Sequence, residues 1–312
     1  MCTMTTTHQG SFMSYPQTAI LPEPGPFALY VIFKVKQEAA SVLRQLQSLP
    51  DLIDTLNASQ PGADLSLSIA FSHQFWKQLD AALPPELVDF TPLGRGDISA
   101  PATDVDVLIH VHGQRHDLLF YVLRQLMSGI SEWVDIIDET YGYRYLDARD
   151  MTGFIDGTEN PKDERRQEVA LIHDGEFAGG SYVMLQRFVH RLPAWERLNI
   201  AAQEKVIGRT KDDSVELDDV PAASHVGRVD LKENGQGLKI LRHSLPYGTV
   251  SGDHGLLFIA YCQTLHNFQV MLDSMYGERD GKTDQMLRFT QAVTGAYFFA
   301  PSVGMLQALT IR

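Results

Sequence analysis

At 312 residues the chain has room for one large domain or two medium ones, and 44% apolar with 21% charged residues allows a sizeable core without disulfide or metal staples. The formal charge is −13, from 26 Lys and Arg against 39 Asp and Glu, which repels nucleic acid and anionic membrane surfaces; neither is an expected partner. Two cysteines, Cys2 and Cys262, make no disulfide framework and no Cys-based metal site.

Residues 1–26, rich in Thr, Ser, Gln and Pro, read as an irregular lead-in. They hold no Lys or Arg, hence no basic secretory start, and no apolar run reaches membrane length, so a cytoplasmic location is expected. Phe27–Val35 is a continuous apolar run, a buried strand. Residues 37–49 place Ala39, Val42, Leu43 and Leu46 on one helical face. Leu65–Phe71 alternates as a strand, and 73–104 is an insertion. Val105, Val107, Ile109 and Val111 alternate with Asp106, His110 and His112, which predicts a half-buried strand with its histidines on a solvated face. Leu118, Leu119, Val122, Leu123 and Leu126 form a helix face, and Trp133–Tyr145 a closing strand.

The second half repeats this β-α-β-β-α-β order. Gly180–Leu192 is a strand, and Trp195, Leu198, Ala202 and Val206 share a helix face. Leu238–Leu245 and Gly255–Cys262 are strands, Leu265, Phe268, Leu272 and Met275 a helix face, and Ala292–Phe299 a last strand. The expected fold is α+β: two ferredoxin-like modules, each an antiparallel sheet with helices, at 27–146 and 147–312. Exposed sheet edges favour a homo-oligomer.

Between the modules, residues 153–161 read Gly153-Phe154-Ile155-Asp156-Gly157-Thr158-Glu159-Asn160-Pro161. On the residues alone an Asp-Gly pair is first of all a turn. The segment, however, resembles the GxxDG signature of dye-decolourising peroxidases, with Glu159-Asn160-Pro161 matching bacterial members. Arg242-His243-Ser244 is similar to the family's distal Arg segment, Ser224-His225-Val226 to its proximal His segment, and Ala292–Pro301 to its C-terminal strand. The family's two ferredoxin-like modules agree with the pattern above. The short length and missing export signal look most like the short bacterial cytoplasmic type.

The resemblance implies one haem b per chain, carried by the C-terminal module, with hydrogen peroxide and small organic donors (dyes, phenolics) as substrates. Such chemistry needs an iron ligand, a base and a fixed cation. By resemblance His225 is the metal ligand, with Asp284 the candidate acid behind its ring. Asp156 is the candidate base and Arg242 the cation, which can also meet a haem propionate. Ser244, on the same strand face, is the candidate for a hydrogen bond to peroxide. Gly157, Thr158 and Glu159 would run along the haem edge. Phe258 and Met271 could line the macrocycle, as could Leu256 and Leu287; ordinary core is the alternative for each.

Two other functions stay open at this point: a haem-handling protein without turnover, and a haem-free ferredoxin-like binder of a small ligand. Asp156 and Arg242 together favour the enzyme, because storing haem needs no acid–base pair. His110, His112 and His116 lack the Cys or carboxylate that would complete a metal site.

Overall fold

A computed structural model describes residues 15–312. The first half lays down β1 (Phe27–Val35), α1 (Ala39–Gln47), α2 (Leu49–Ser59) and β2 (Ser66–Phe71). A short helix α3 (His73–Trp76) and a hairpin of β3 (Leu93–Arg95) and β4 (Ile98–Ala100) fill the insertion. Then come β5 (Val107–Gly113), α4 (His116–Ile130) and β6 (Val134–Tyr143). The second half runs α5 (Glu164–Ala170), β7 (Ser181–His190), α6 (Leu192–Trp195), α7 (Ile200–Ile207) and α8 (His225–Val229). It continues with the hairpin β8 (Lys232–Glu233) and β9 (Gln236–Gly237), then β10 (Leu241–Arg242), β11 (Leu245–Gly248), β12 (His254–Cys262) and α9 (His266–Met275). A 3-10 turn at Gln285–Arg288 precedes β13 (Thr290–Ala292), β14 (Ala296–Ala300) and α10 (Val303–Ala308).

The α+β class and the two antiparallel sheets agree with the sequence pattern; their junction was not legible in it. Strands of the first half run β6-β1-β5-β2, and those of the second β14-β7-β12-β11. The two runs meet at both ends, through Phe71 opposite Phe299 and Tyr247 opposite Gly142. The circuit is therefore closed, and an apolar core that includes Ile32, Leu108, Val183, Leu185, Ile259 and Phe298 fills its interior. Closure corrects two expectations. The sheet edges that were read as exposed meet each other, through one residue pair at each junction. And β5 is buried along its whole length: His110 and His112 stand inside the ring, not on a solvated face. Alternation with polar residues reads the same whether the second face meets water or a second sheet.

Other differences have local causes. The helix expected over 37–49 is α1, and a second helix that was not expected, α2, follows it, with Pro50, which lacks an N–H, in its first turn. Asn199 caps α7 by accepting from Ala202 N–H at 2.9 Å, which separates it from α6. The predicted strand 238–245 pairs only as β10 and, after a break at His243-Ser244, β11; the predicted strand 292–299 is likewise split into β13 and β14. The lead-in, where described, has no helix or strand but is packed in: Ala19 and Ile20 are buried, and Gln17 donates to the carbonyls of Ile69 and Pro301.

Candidate active site

A cavity of about 280 Å³ opens on the outer face of the second sheet. The alternation of β7 turns Met184, Gln186, Phe188 and His190 into it, and β12 adds Leu256 and Phe258. Met271 of α9 and Leu287 close the apolar wall.

The loop 153–161 forms one side. Gly157 has φ +84° with open space around its Cβ position, so it is the conformation, not crowding, that calls for glycine. The loop is pinned by Arg149, which donates to the carbonyls of Gly153 and Lys211 at 2.7 and 2.8 Å. Asp156 Oδ1 accepts from Gly157 N–H at 2.7 Å and stands 3.6 Å from Arg242 Nη2. Oδ2 has no protein donor among the described residues. Asn160 clasps the backbone of Arg242, its amide donating to the Arg242 carbonyl at 2.8 Å and its carbonyl accepting from the Arg242 N–H at 2.9 Å. A side chain of the motif thus stands in for a neighbouring strand and sets the loop against the guanidinium.

His225 enters from α8. Ser224 caps that helix by accepting from Gly227 N–H at 3.1 Å, and Gly227 has no room for a Cβ, which would fall 2.5 Å from the Pro221 carbonyl oxygen. Arg228 ties α8 down through a two-pronged pair with Asp280 and a bond to the Ser274 carbonyl. His225 Nδ1 lies 2.7 Å from Asp284 Oδ2. Enclosure by protein lowers the His225 pKa, but the Asp284 carboxylate outweighs it and the net direction is upward. Nε2 has no protein partner among the described residues, and about a third of the side chain is open, to the cavity.

Of the sequence-selected residues, Asp156, Gly157, Thr158, Glu159, His225, Arg242, Phe258, Met271 and Asp284 all line this cavity. Ser244 does not. It sits past the end of β10, where its hydroxyl is held by the backbone of Ile259, 3.3 Å from the N–H and 3.5 Å from the carbonyl.

The sequence reading missed a network on the cavity wall. His190 Nε2 lies 3.0 Å from Asp150 Oδ1, and its Nδ1 2.7 Å from Thr290 Oγ1. Asp150 Oδ2 accepts from Thr152 N–H and Oγ1. Burial raises the Asp150 pKa, but His190 and the Thr152 hydrogen bonds prevail and bring it to about 2. At the mouth, Arg209 pairs with Glu159 at 2.6 Å and Thr158 Oγ1 lies 3.0 Å from Ser214 Oγ, joining the loop 153–161 to the turn 209–216.

A sequence model described as Dyp-type peroxidase, N-terminal, matches residues 17–144, and one described as Dyp-type peroxidase, C-terminal, matches residues 147–305. The chain belongs to the Dyp-type peroxidase family. It is 36% identical over 302 residues to a dye-decolorizing peroxidase of Mycobacterium tuberculosis, covering 92% of this chain and 90% of that protein. A dye-decolorizing protein from V. cholerae superposes with a TM-score of 0.94 at 72% identity, covering 95% of this chain and 100% of that one. A Rhodococcus jostii RHA1 DypB variant solved in complex with heme superposes with a TM-score of 0.90 at 35% identity, over 94% and 98% of the two chains. The chain is accordingly a haem-dependent peroxidase, as its motif implied. No helix among the described residues is long and apolar enough to cross a membrane.

Proposed function

We propose that His225 holds the iron of one haem b in this cavity, with Asp156 and Arg242 as the peroxide-handling pair. One observation supports this above the others: a histidine whose Nδ1 is committed to a buried carboxylate, and whose Nε2 is left unpartnered, lines one apolar-walled cavity with an Asp–Arg pair. The donor set suits ferric or ferrous haem iron, and the walls suit a flat apolar ring. We also take residues 147–312 as the module that carries it, with 27–146 as the supporting one.

A bound haem supplies an iron that takes two oxidising equivalents from hydrogen peroxide and returns them to organic donors singly. The protein's part follows from the atoms described. Asp284 keeps the His225 hydrogen on Nδ1, so that Nε2 is the ligating nitrogen and the ring is made more basic. Asp156 Oδ2 accepts the proton from the near oxygen of peroxide and delivers it to the far one. The Arg242 guanidinium offsets the charge that gathers as the O–O bond breaks, and it stays charged throughout.

The second reading, haem handling without turnover, leaves the Asp156–Arg242 pair and its Asn160 clasp without a task. The deciding measurement is the absorption spectrum of the haem-loaded protein before and after one equivalent of peroxide. A shifted Soret band that returns when a phenolic donor is added is expected. A band that does not respond to peroxide would favour haem handling.

A further inference from the structure

The interior of the strand circuit is largely apolar, and one compact polar group stands within it. His110 and His112 of β5, Tyr30 of β1, Tyr261 of β12 and His243, the neighbour of Arg242, are all buried there. The Tyr261 hydroxyl lies 2.9 Å from His110 Nδ1. Tyr30 stacks on the His110 ring, centroids 4.9 Å apart and planes 7° from parallel, and its hydroxyl donates to the His243 carbonyl at 2.9 Å. The His243 ring is 6.0 Å from His110 and 5.5 Å from Tyr261. His110 Nε2 is buried with no hydrogen-bond partner.

A polar group of this kind weakens a core that aliphatic residues could fill, because buried polar atoms lose water without full replacement. Burial, reinforced by His112 and His243, keeps the His110 pKa well below the usual histidine range, so the ring is neutral at rest; its Nδ1, 2.9 Å from the phenol, is the one acceptor placed to take the phenolic proton. Burial also pushes the Tyr261 phenol upward, so it keeps its proton. With the imidazole hydrogen on Nε2, the phenol donates directly to Nδ1. This is a tyrosine with a base already hydrogen-bonded to it and no solvent in reach.

Its position matters as much. Phe258 lines the cavity, whereas Tyr261, three residues on along β12, points to the ring interior. In the strand register Tyr261 lies opposite Leu241 and Ala260 opposite Arg242. Tyr261 and Arg242 thus stand on directly paired strands of one sheet, Tyr261 on its inner face and Arg242 lining the cavity.

We propose that Tyr261 and His110 form an internal redox pair that takes up an oxidising equivalent from the haem site when no donor is present. The inference rests on the haem-peroxidase reading above. One electron leaves Tyr261 for the haem after peroxide has oxidised it. The phenolic O–H bond breaks and its proton forms an N–H bond on His110 Nδ1, leaving a neutral tyrosyl radical beside an imidazolium. When an organic donor supplies an electron, the proton returns to the phenolic oxygen. The imidazolium has no way out to water, so the proton stays within reach and the step is reversible. The pair would spare the haem from its own oxidant between donors.

The test uses haem-loaded full-length protein, wild type, Tyr261→Phe and His110→Leu, mixed with one equivalent of peroxide without donor and freeze-quenched for electron paramagnetic resonance. Soret spectra and circular dichroism check haem loading and folding, and Tyr261→Phe removes a single oxygen. A tyrosyl signal in wild type that falls several-fold in Tyr261→Phe is expected. In His110→Leu the signal should be weaker and its line shape altered, since the phenolic oxygen has lost its base. Repeated peroxide additions should bleach the Soret band several-fold faster in Tyr261→Phe. A radical signal of unchanged size and shape in Tyr261→Phe overturns the pair while leaving the peroxidase reading intact. A wild-type protein whose Soret band does not respond to peroxide overturns both.

Discussion

Asp284 is fully buried and serves two partners with its two oxygens: Oδ2 lies 2.7 Å from His225 Nδ1, and Oδ1 accepts from Met286 N–H at 2.8 Å. Its backbone N–H in turn bonds the Met275 carbonyl at 2.8 Å. The carboxylate is thereby fixed against both α9 and the 3-10 turn, and the imidazole is fixed against the carboxylate.

Replacing Asp284 by Asn keeps the shape and removes the charge. The imidazole becomes a poorer donor to iron, and loss of such a partner typically costs about 10- to 100-fold in metal affinity or activity. The reduction potential of the bound haem should rise in Asp284→Asn. Spectroelectrochemistry giving the wild-type potential would mean that the pair does not tune the iron.

His225→Ala should fold normally and fail to retain haem through gel filtration. Full occupancy with an unaltered Soret band in the variant would assign the iron to another residue.

Arg242 should matter more than Asp156 to the reaction with peroxide. Both side chains are partly open to the cavity, 24% and 33% exposed, so water can carry a proton in place of the carboxylate, whereas nothing mobile replaces the fixed cation. Stopped-flow mixing should show Arg242→Leu slower than Asp156→Ala, with a loss of about 100-fold or more for the Arg variant. The reverse order would move the main burden to the carboxylate.

Asn160→Ala should behave as a displacement of Arg242. Two hydrogen bonds are lost, worth about 1 kcal/mol each, and the Arg242 backbone N–H and carbonyl are left without that partner. Haem binding should persist while the peroxide reaction slows. Asn160→Asp, which keeps the acceptor and loses the donor, should fall between. An Ala variant with lowered thermal stability and a wild-type rate would confine Asn160 to folding.

Acid should loosen the wall formed by Asp150 and His190. The folded Asp150 pKa of about 2 lies below the ordinary value of about 3.9, so ionised Asp150 contributes stability that is fully present above about pH 4 and fades as pH falls toward 2. A depression of this size corresponds to about 2 kcal/mol. Urea titrations of wild type and Asp150→Asn between pH 5 and 2 should show a gap that closes with acid. A gap of constant size would exclude linkage through this carboxylate.

What the sequence revealed of the site came through contiguous text. Residues 153–161 are a single motif, and Ser224-His225-Val226 and Arg242-His243 follow it in a recognisable order. The Asp150–His190–Thr290 network joins residues up to 140 positions apart with no local spacing to betray it; cross-strand pairing brings Thr290 to His190, and Asp150 reaches His190 from the connection between β6 and α5. Ser244 was placed by strand alternation carried past the end of β10, and the structure holds its hydroxyl on the Ile259 backbone, outside the cavity lining. The buried histidines of β5 show the same limit from the other side: periodicity names the two faces of a strand but not what lies against each.

The closed strand circuit has a consequence for how substrates enter. Two domains that meet at one face can open about a hinge, but here the two sheets touch at both margins, through Tyr247 opposite Gly142 and Phe299 opposite Phe71. Parting them would break both seams and expose the shared interior. Admission to the cavity is therefore a local matter, decided by the loop 153–161 and the turn 209–216, whose fastenings are the Arg209–Glu159 ion pair and the Thr158–Ser214 hydroxyl contact. This ion pair is half-exposed, the Glu159 side chain open to water and the Arg209 side chain largely covered, so salt weakens it in part. Salt thus loosens one fastening of the entrance and leaves the neutral Thr158–Ser214 contact in place.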